Sequence, residues 1–386
     1  MRIGFASLTL GILVACGGSG GDTTGTGGSG AGTGGAGVGA GEVGGSGASS
    51  ETGGGGAGTG AGGSGGGTPS GSFTLVGVGT WGLRGITEDG SAFTVCQNPP
   101  QGSDHTPDLL RNVAYGHGVF VAVGGDANSM VMRSFDGLHW EEDLHPVTNC
   151  EGESYPPSCK NWMGGVAYGD GLWLAGGGNG ALMRSVDDGV TWTGLHPSPG
   201  LSAVRSIAFG GGVFVAGTDG GVLSVSSDGG DSWTHHDLWD YDFQVAAGGG
   251  AFVAQGRHWN GSGFDYGCAV SVDAGASWSS CDPALLTAGP AAYGDGRWVA
   301  QTSGGYLESS DATTWTMVSA MDFPDQPVWT GEGWIGIRGG NAVTSQNLVD
   351  WQVGAGNVPG FRAITGGLVL DDNLPVENVP LCQDNG

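Results

Sequence analysis

The chain of 386 residues carries 86 glycines and 14 tryptophans, is only 12% charged, and has a formal net charge of -26. That acidity argues against nucleic acid and anionic lipid as partners of a folded surface. So much glycine beside so many large aromatics fits neither an ordinary globular chain nor a uniformly disordered one.

At the N-terminus stand Arg2, an apolar stretch from Ile3 to Val14 and the tetrapeptide Leu13-Val14-Ala15-Cys16. Together they read as an export signal, too short to span a bilayer as a stable helix. Leu-Val-Ala-Cys resembles the lipobox of bacterial lipoproteins. The resemblance implies a signal peptide over residues 1–15, a diacylglycerol on the Cys16 sulfur and a further acyl chain on its amino group. More than one chain gives stable anchoring, so the expected location is the bacterial cell envelope, at the outer membrane or cell surface. Residues 16–71 continue almost wholly as Gly, Ser, Thr and Ala, with Asp22, Glu42 and Glu51 as the only charges. Nothing there can bury a core, and a flexible tether with an r.m.s. reach of roughly 40 Å is expected.

Residues 72–386 are repetitive. RSFDGLHW ends at Trp140, RSVDDGVTW at Trp192, SSDGGDSW at Trp233, SVDAGASW at Trp278, SSDATTW at Trp315 and SQNLVDW at Trp351, with a degenerate first copy, TEDGSAF, ending at Phe93. The intervals of 47, 52, 41, 45, 37 and 36 residues indicate a repeat architecture. Upstream of the motif, VAYGHGVFVAVGG from Val113, VAYGDGLWLAGGG from Val166, IAFGGGVFVAGT from Ile207, VAAGGGAFVAQG from Val245 and AAYGDGRWVAQT from Ala291 each read as strand, glycine turn, strand. The second strand is apolar at every position, as in Val119 to Val123, which suits burial on both faces. The first is small at its centre, at Ala114, Ala167, Ala208, Ala246 and Ala292, as where strands converge on an axis. The fold class predicted is all-β, a seven-bladed β-propeller.

Blade one opens at Phe73 on a second-strand sequence and lacks its own first strand. Phe361-Arg362-Ala363-Ile364-Thr365-Gly366 matches the first strands beginning at Arg111 and Val204, so the C-terminal strand is expected to complete blade one and remove the ring's edges. With Cys16 assigned to lipid, six cysteines remain, an even number that suggests disulfides in an exported chain. A Cys96–Cys382 bridge would lock the closure. If Ser271 faces Trp278 across its hairpin, the same register opposes Cys268 and Cys281 within bridging distance, leaving Cys150 and Cys159 to close a local loop.

The Ser-x-Asp motif resembles the Asp-box of sialidase-type propellers, a structural repeat in the hairpin between third and fourth strands. Its side chains suit a turn of that kind. Asp and Ser bond backbone amides, glycine supplies positive φ, and tryptophan offers a surface to bury between blades. Asp136 with Trp140, Asp187 with Trp192, Asp228 with Trp233, Asp273 with Trp278 and Asp311 with Trp315 are therefore read as structural. Function is expected on the opposite face, where residues 94 to 110, residues 141 to 163, HHDLWDYDF from His235 and RHWNGSGFDYG from Arg257 form long non-repeating loops. There Trp239, Tyr241, Trp259 and Tyr266, beside Asp237, Asp240, Asp242 and Asp265, suit stacking on a sugar ring. Arg111, Arg205 and Arg362 share one repeat position at the start of the innermost strand and should point toward one mouth of the channel, to hold an anion or to pair with neighbouring aspartates. The eight histidines and the cysteines show no metal spacing, which leaves calcium on loop aspartates as the cofactor option.

Sialidases use three arginines on the substrate carboxylate, a tyrosine with a glutamate, and an aspartate acid/base, usually on six blades. Seven repeats are present here, Phe361-Arg362-Ala363-Ile364 is the nearest counterpart of the sialidase Phe-Arg-Ile-Pro signature, and Tyr115, Tyr168 and Tyr293 sit at a structural repeat position. The xyloglucanase-type hydrolases place paired acids between two propellers, and this chain has one. The photosystem II assembly factor family is similar in architecture, carrying arginine ahead of Ser-x-Asp as Arg133 and Arg184 do, and its members bind other proteins. The expected function is thus a lipid-anchored, monomeric propeller that binds a protein or glycan without catalysis. The alternative is a glycoside hydrolase with an unrecognised carboxylate pair.

Overall fold

The computed structural model describes residues 43–44, 47–48, 71–88, 93–96, 109–126, 129–141, 147–148, 161–195, 200–238, 242–319, 323–324, 327–331, 333–356 and 361–370. Cys16, Cys150, Cys159, Cys382, Trp239, Asp240 and Tyr241 lie outside them. Seven sheets follow one another along the chain, antiparallel apart from one short parallel pairing of Val147–Thr148 with Trp192–Leu195, and they form a seven-bladed β-propeller. Blade four is representative: Val204–Gly210 pairs with Val213–Thr218, then Val222–Ser226, then Thr234–Asp237. Blade two has three strands, Leu110–Gly116, Val119–Gly124 and Met130–Ser134, extended by a bridge between Arg133 and Glu141.

The first blade closes as expected. Phe361–Leu370 is its innermost strand and pairs with Gly71–Gly79, from Gly71 against Leu370 to Gly79 against Phe361. Both described ends of the domain therefore leave from the end of the blade that carries the tight turns. One departure from a featureless tether is visible: Val43–Gly44 and Gly47–Ala48 pair with each other, and Val43 pairs with Tyr168. The inner edge of a blade offers unpaired backbone groups to which such a segment can bond.

Hydrophobic clusters fill every junction between adjacent blades. Val121 and Val123 of blade two meet Val166 and Trp173 of blade three, and the closing junction joins Val328 and Ile335 of blade seven to Leu75 and Ile364 of blade one. The motif tryptophans pack backwards onto the preceding blade: Trp140 onto Val76 and Val78, Trp192 onto Val121, Trp315 onto Val270. Phe93 takes that place in the first, degenerate copy, against the cluster shared with blade seven. The indole N–H of Trp192 donates to the Gly189 carbonyl at 3.0 Å, and Trp140, Trp233, Trp315 and Trp351 repeat the bond.

Within each turn the serine hydroxyl donates to the carboxylate, as Ser226 Oγ does to Asp228 Oδ1 at 2.8 Å, and accepts from the Gly230 backbone N–H at 2.8 Å. The carboxylate accepts from the Ser232 backbone N–H and hydroxyl. Bonds of this kind favour the ionised form. The Ser277 hydroxyl and N–H hold Asp273 at about 2, and the N–H groups of Thr314 and Thr313 hold Asp311 at about 2. In blade seven Asn347 accepts the same backbone bonds, so the turn needs the acceptor more than the charge.

At five of the seven junctions inner strands meet through a glycine against an aromatic ring. A Cβ on Gly116 would lie 2.3 Å from Tyr168 Cβ; Gly169 faces Phe209, Gly248 faces Tyr293, Gly294 faces Trp329 and Gly367 faces Tyr115 in the same way. The repeat tyrosines thus seat one blade on the next. The register also delivers the one disulfide among the described residues: Ala269 pairs with Ser280 and Val270 with Ser279, and Cys268 and Cys281 follow in line with Cα atoms 5.5 Å apart.

Gly169→Ala places a Cβ 2.0 Å from Phe209 Cγ and is expected to destabilise the domain by about 1–3 kcal/mol in urea unfolding. Gly263→Ala, with nothing within 4 Å, should be close to neutral. Equal effects would remove the glycine seat as a determinant of blade packing.

Candidate functional site

In blades one, two, three and four the innermost strand carries a bulge at its first turn. The register shifts between Val78 and Gly79 opposite Arg362, between Leu110 and Asn112 at Arg111, between Met163 and Gly165 at Gly164, and between Val204 and Ser206 at Arg205. A bulge leaves one residue out of the ladder and re-aims its side chain. Four consecutive blades thus present one extra residue each at the same end of the channel, opposite the tight turns.

Three of those residues are the predicted arginines and the fourth is Gly164. A Cβ at Gly164 would lie 2.5 Å from the Val204 carbonyl oxygen and 2.7 Å from Trp162 Cζ3. Here the chain supplies an indole in place of a guanidinium. The guanidinium carbon of Arg111 lies 5.1 Å from the centroid of Trp162 and that of Arg205 lies 4.7 Å from it. Cation–π contact at such distances contributes about 1–2 kcal/mol when partly desolvated, and it fixes both guanidinium planes.

The arginines differ in their acids. Arg205 grips Asp219 with two bonds, Nε to Oδ1 and a terminal nitrogen to Oδ2 at 2.7 Å. Arg111 donates to the Gly125 carbonyl at 3.2 Å and stands 3.8 Å from Asp126. Arg362 makes no hydrogen bond or ion pair among the described residues. Burial lowers the Arg111 pKa to about 10; Asp126 opposes that, and the charges of Arg362 and Arg205 add to it. The group stays charged at neutral pH, and the coupling places all three guanidiniums within electrostatic reach of one another. Pairing with aspartate, one of the two sequence expectations, accounts for Arg205 and loosely for Arg111.

From blade five, Asp242 reaches across to Asp219. It accepts from the Gly220 backbone N–H and shares a hydrogen bond with the Asp219 carboxyl. Burial and the neighbouring Asp219 charge push its pKa up, against the opposing pull of Arg205. Two carboxylates in direct hydrogen-bond contact are closer than the roughly 5 Å or more that either glycosidase arrangement requires. Among the described residues no group of three or more His, Cys, Asp or Glu is placed to hold a metal ion.

Two stretches that read as irregular loops contain strand. RHWNGSGFDYG extends Ala251–Trp259 and Phe264–Ser271 of blade five into a hairpin whose tip is held by Asn260 Oδ1, accepting from the Ser262 and Gly263 N–H groups. Arg257 pairs with Tyr266 and stacks at 4.5 Å on Phe264, while Asp265 pairs with His258 on the other face. Strand alternation thereby puts Asp265 and the exposed Tyr266 on opposite faces of the hairpin, while Trp239, Asp240 and Tyr241 of the expected set lie outside the described residues. In HHDLWDYDF, Thr234–Asp237 is the outer strand of blade four and Asp242 begins the inner strand of blade five.

Sequence patterns do not single out Trp162, Asp126 or Asp219. The two aspartates follow their arginines by 15 and 14 residues at the end of the second strand, an offset visible once the repeats are aligned. Trp162 stands alone in a non-repeating insertion, and its only signal is the glycine two residues on, where sister blades have arginine.

The site thus lies at one mouth of a seven-bladed β-propeller. No protein-family model matches the sequence, and no curated protein matches it. Among solved structures it is similar to one described as YCF48 bound to D1 peptide (TM-score 0.42, 17% identity, over 61% of this chain and 78% of that one). It is also similar to YCF48 from Cyanidioschyzon merolae (TM-score 0.42, 14% identity, over 63% and 84%) and to a glycoside hydrolase (TM-score 0.32, 12% identity, over 54% and 57%). Likeness at this level carries no argument about function.

Asp242→Asn should raise the melting temperature at pH 7. A carboxyl whose folded pKa is raised stabilises fully below its unfolded value near 4 and loses that contribution as pH rises through the folded value. The advantage of the variant should therefore close as the pH falls to about 4. Parallel melting curves for the two proteins at every pH would show that the carboxyl pair is not coupled to stability.

Proposed function

We propose that the chain is an exported bacterial lipoprotein that carries a non-catalytic propeller on a long tether and binds a protein or glycan with the face bearing Arg362, Arg111, Trp162 and Arg205. The observation that carries this reading is the row of bulged residues: four consecutive blades aim their extra side chain at one mouth, and an indole fixes two of the guanidiniums. Preorganised guanidiniums bind oxyanions with less ordering cost than free ones. The topology supports the same face. Gly71 pairs with Leu370 at the turn end, so the tether joins the domain away from the arginines. Anchoring rests on Leu13-Val14-Ala15-Cys16, and the tether's reach holds the propeller clear of lipid headgroups.

Cys16→Ser should move the protein from the membrane fraction to the soluble fraction after cell lysis. Retention in the membrane would end the lipid-anchor reading. The detergent-solubilised full chain, screened against glycan and cell-surface protein arrays, should bind members of one class, with Trp162→Ala weakening the interaction roughly tenfold. Binding to neither class would overturn the proposed role of the propeller.

A further inference from the structure

The arginine mouth has one place that its own repeat leaves empty. In blades two and four an aspartate stands just past the second strand, beside the bulged arginine of the same blade: Asp126 with Arg111, Asp219 with Arg205. In blade one, Gly79 pairs with Phe361, so Thr80 falls at the position of Asp219 and Trp81 at that of Asp126, and neither is an acid. Arg362 therefore lacks the acid that its two sister arginines have, and it makes no ion pair among the described residues. Burial lowers its pKa, and no acid among the described residues opposes that shift. Next to it, Arg111 is only loosely paired, 3.8 Å from an Asp126 that is itself 55% exposed. Among the described residues positive charge is thus least compensated between blades one and two, although the chain as a whole is strongly acidic.

We propose that this place takes a carboxylate from outside, the aspartate or glutamate side chain of an acidic peptide segment on a partner protein, held by Arg362 with Arg111 beside it. The inference rests on the reading of this face as a binding face and narrows its partner to an acidic protein. Protein carboxylate is favoured because the same cradle already accepts an aspartate side chain in two sister blades, one of them with two bonds. Bidentate guanidinium–carboxylate pairing gives geometric as well as electrostatic selectivity. An isolated cluster of like charges is costly when partly buried, and an incoming carboxylate offsets that cost. Attraction here is short-range and opposed at long range by the protein's net charge, so binding depends on contact more than on steering.

The test uses the detergent-solubilised full chain on an array of decapeptides in which every acidic sequence stands beside its Asn/Gln counterpart. Acidic peptides should bind at low salt, and their amide counterparts at least about tenfold more weakly. Arg362→Gln should weaken acidic peptides by about tenfold or more, and Arg362→Lys by less, because it keeps the charge and loses the fork. Arg297→Gln, in blade six where Arg297 pairs with Asp295 and Glu308, should change nothing. Equal binding of acidic and amide peptides, wild-type affinity in a folded Arg362→Gln protein, or stronger competition by a polyuronate or inorganic phosphate than by acidic peptide would each overturn the proposal. A protein or glycan that loses affinity with Trp162→Ala but not with Arg362→Gln would leave the binding face standing and remove the carboxylate place from it.

Discussion

At five of its seven blade junctions this propeller brings the inner strands close enough for an aromatic ring to lie where a Cβ would otherwise be. Gly116 under Tyr168, Gly169 under Phe209, Gly248 under Tyr293, Gly294 under Trp329 and Gly367 under Tyr115 form a chain of such seats around the axis. The ring must close on the seventh blade, so errors in blade spacing would accumulate unless each step were fixed by hard contact. Close-packed interiors resist changes of even one methyl group. The seats therefore set the angular step, and the apolar clusters between blades and the backward-packed tryptophans stabilise the step once it is set.

Position at the mouth follows from that spacing. With three such seats joining four successive bulged blades, four bulged residues fall at corresponding places around the rim. A guanidinium from blade two and one from blade four then flank the blade between them, where glycine in place of arginine leaves room for the Trp162 indole. The indole is a spacer as well as a contact. It keeps two like charges apart and gives each an aromatic face, so the rim holds three guanidiniums with two acids paired to them among the described residues.

Much of this is legible in the sequence because it is written several times. The blade count, closure by Phe361 to Gly366, the stapled Cys268 and Cys281 and the shared position of Arg111, Arg205 and Arg362 all follow from aligning copies, which cancels the variation of any one of them. Features that occur once are not legible. Trp162 belongs to an insertion without a sister, and the Asp219 to Asp242 contact joins the second strand of one blade to the first strand of the next, so no local pattern announces it. The hairpin from Arg257 to Tyr266 is hidden because Asn260-Gly261-Ser262-Gly263 reads as loop, while the alternation on either side is too short to mark strands extended beyond the blade.

Charge around the rim is graded, and the grading follows the order of the blades. Blade one offers an arginine with no acid beside it among the described residues, blade two an arginine with a distant one, blade four an arginine gripped by Asp219, and blade five a carboxyl with a raised pKa pressed against that same Asp219. The guanidinium of Arg205 is thereby committed to the protein and acts mainly as a support for Trp162 and Arg111. Excess negative charge collects between blades four and five, where Asp242 relieves it by holding its proton more tightly. A ligand that carries an anion is drawn to one side of the mouth and repelled from the other. For the acidic partner proposed above, the rim would thus define an orientation as well as a place, with side chains whose positions the repeat itself dictates.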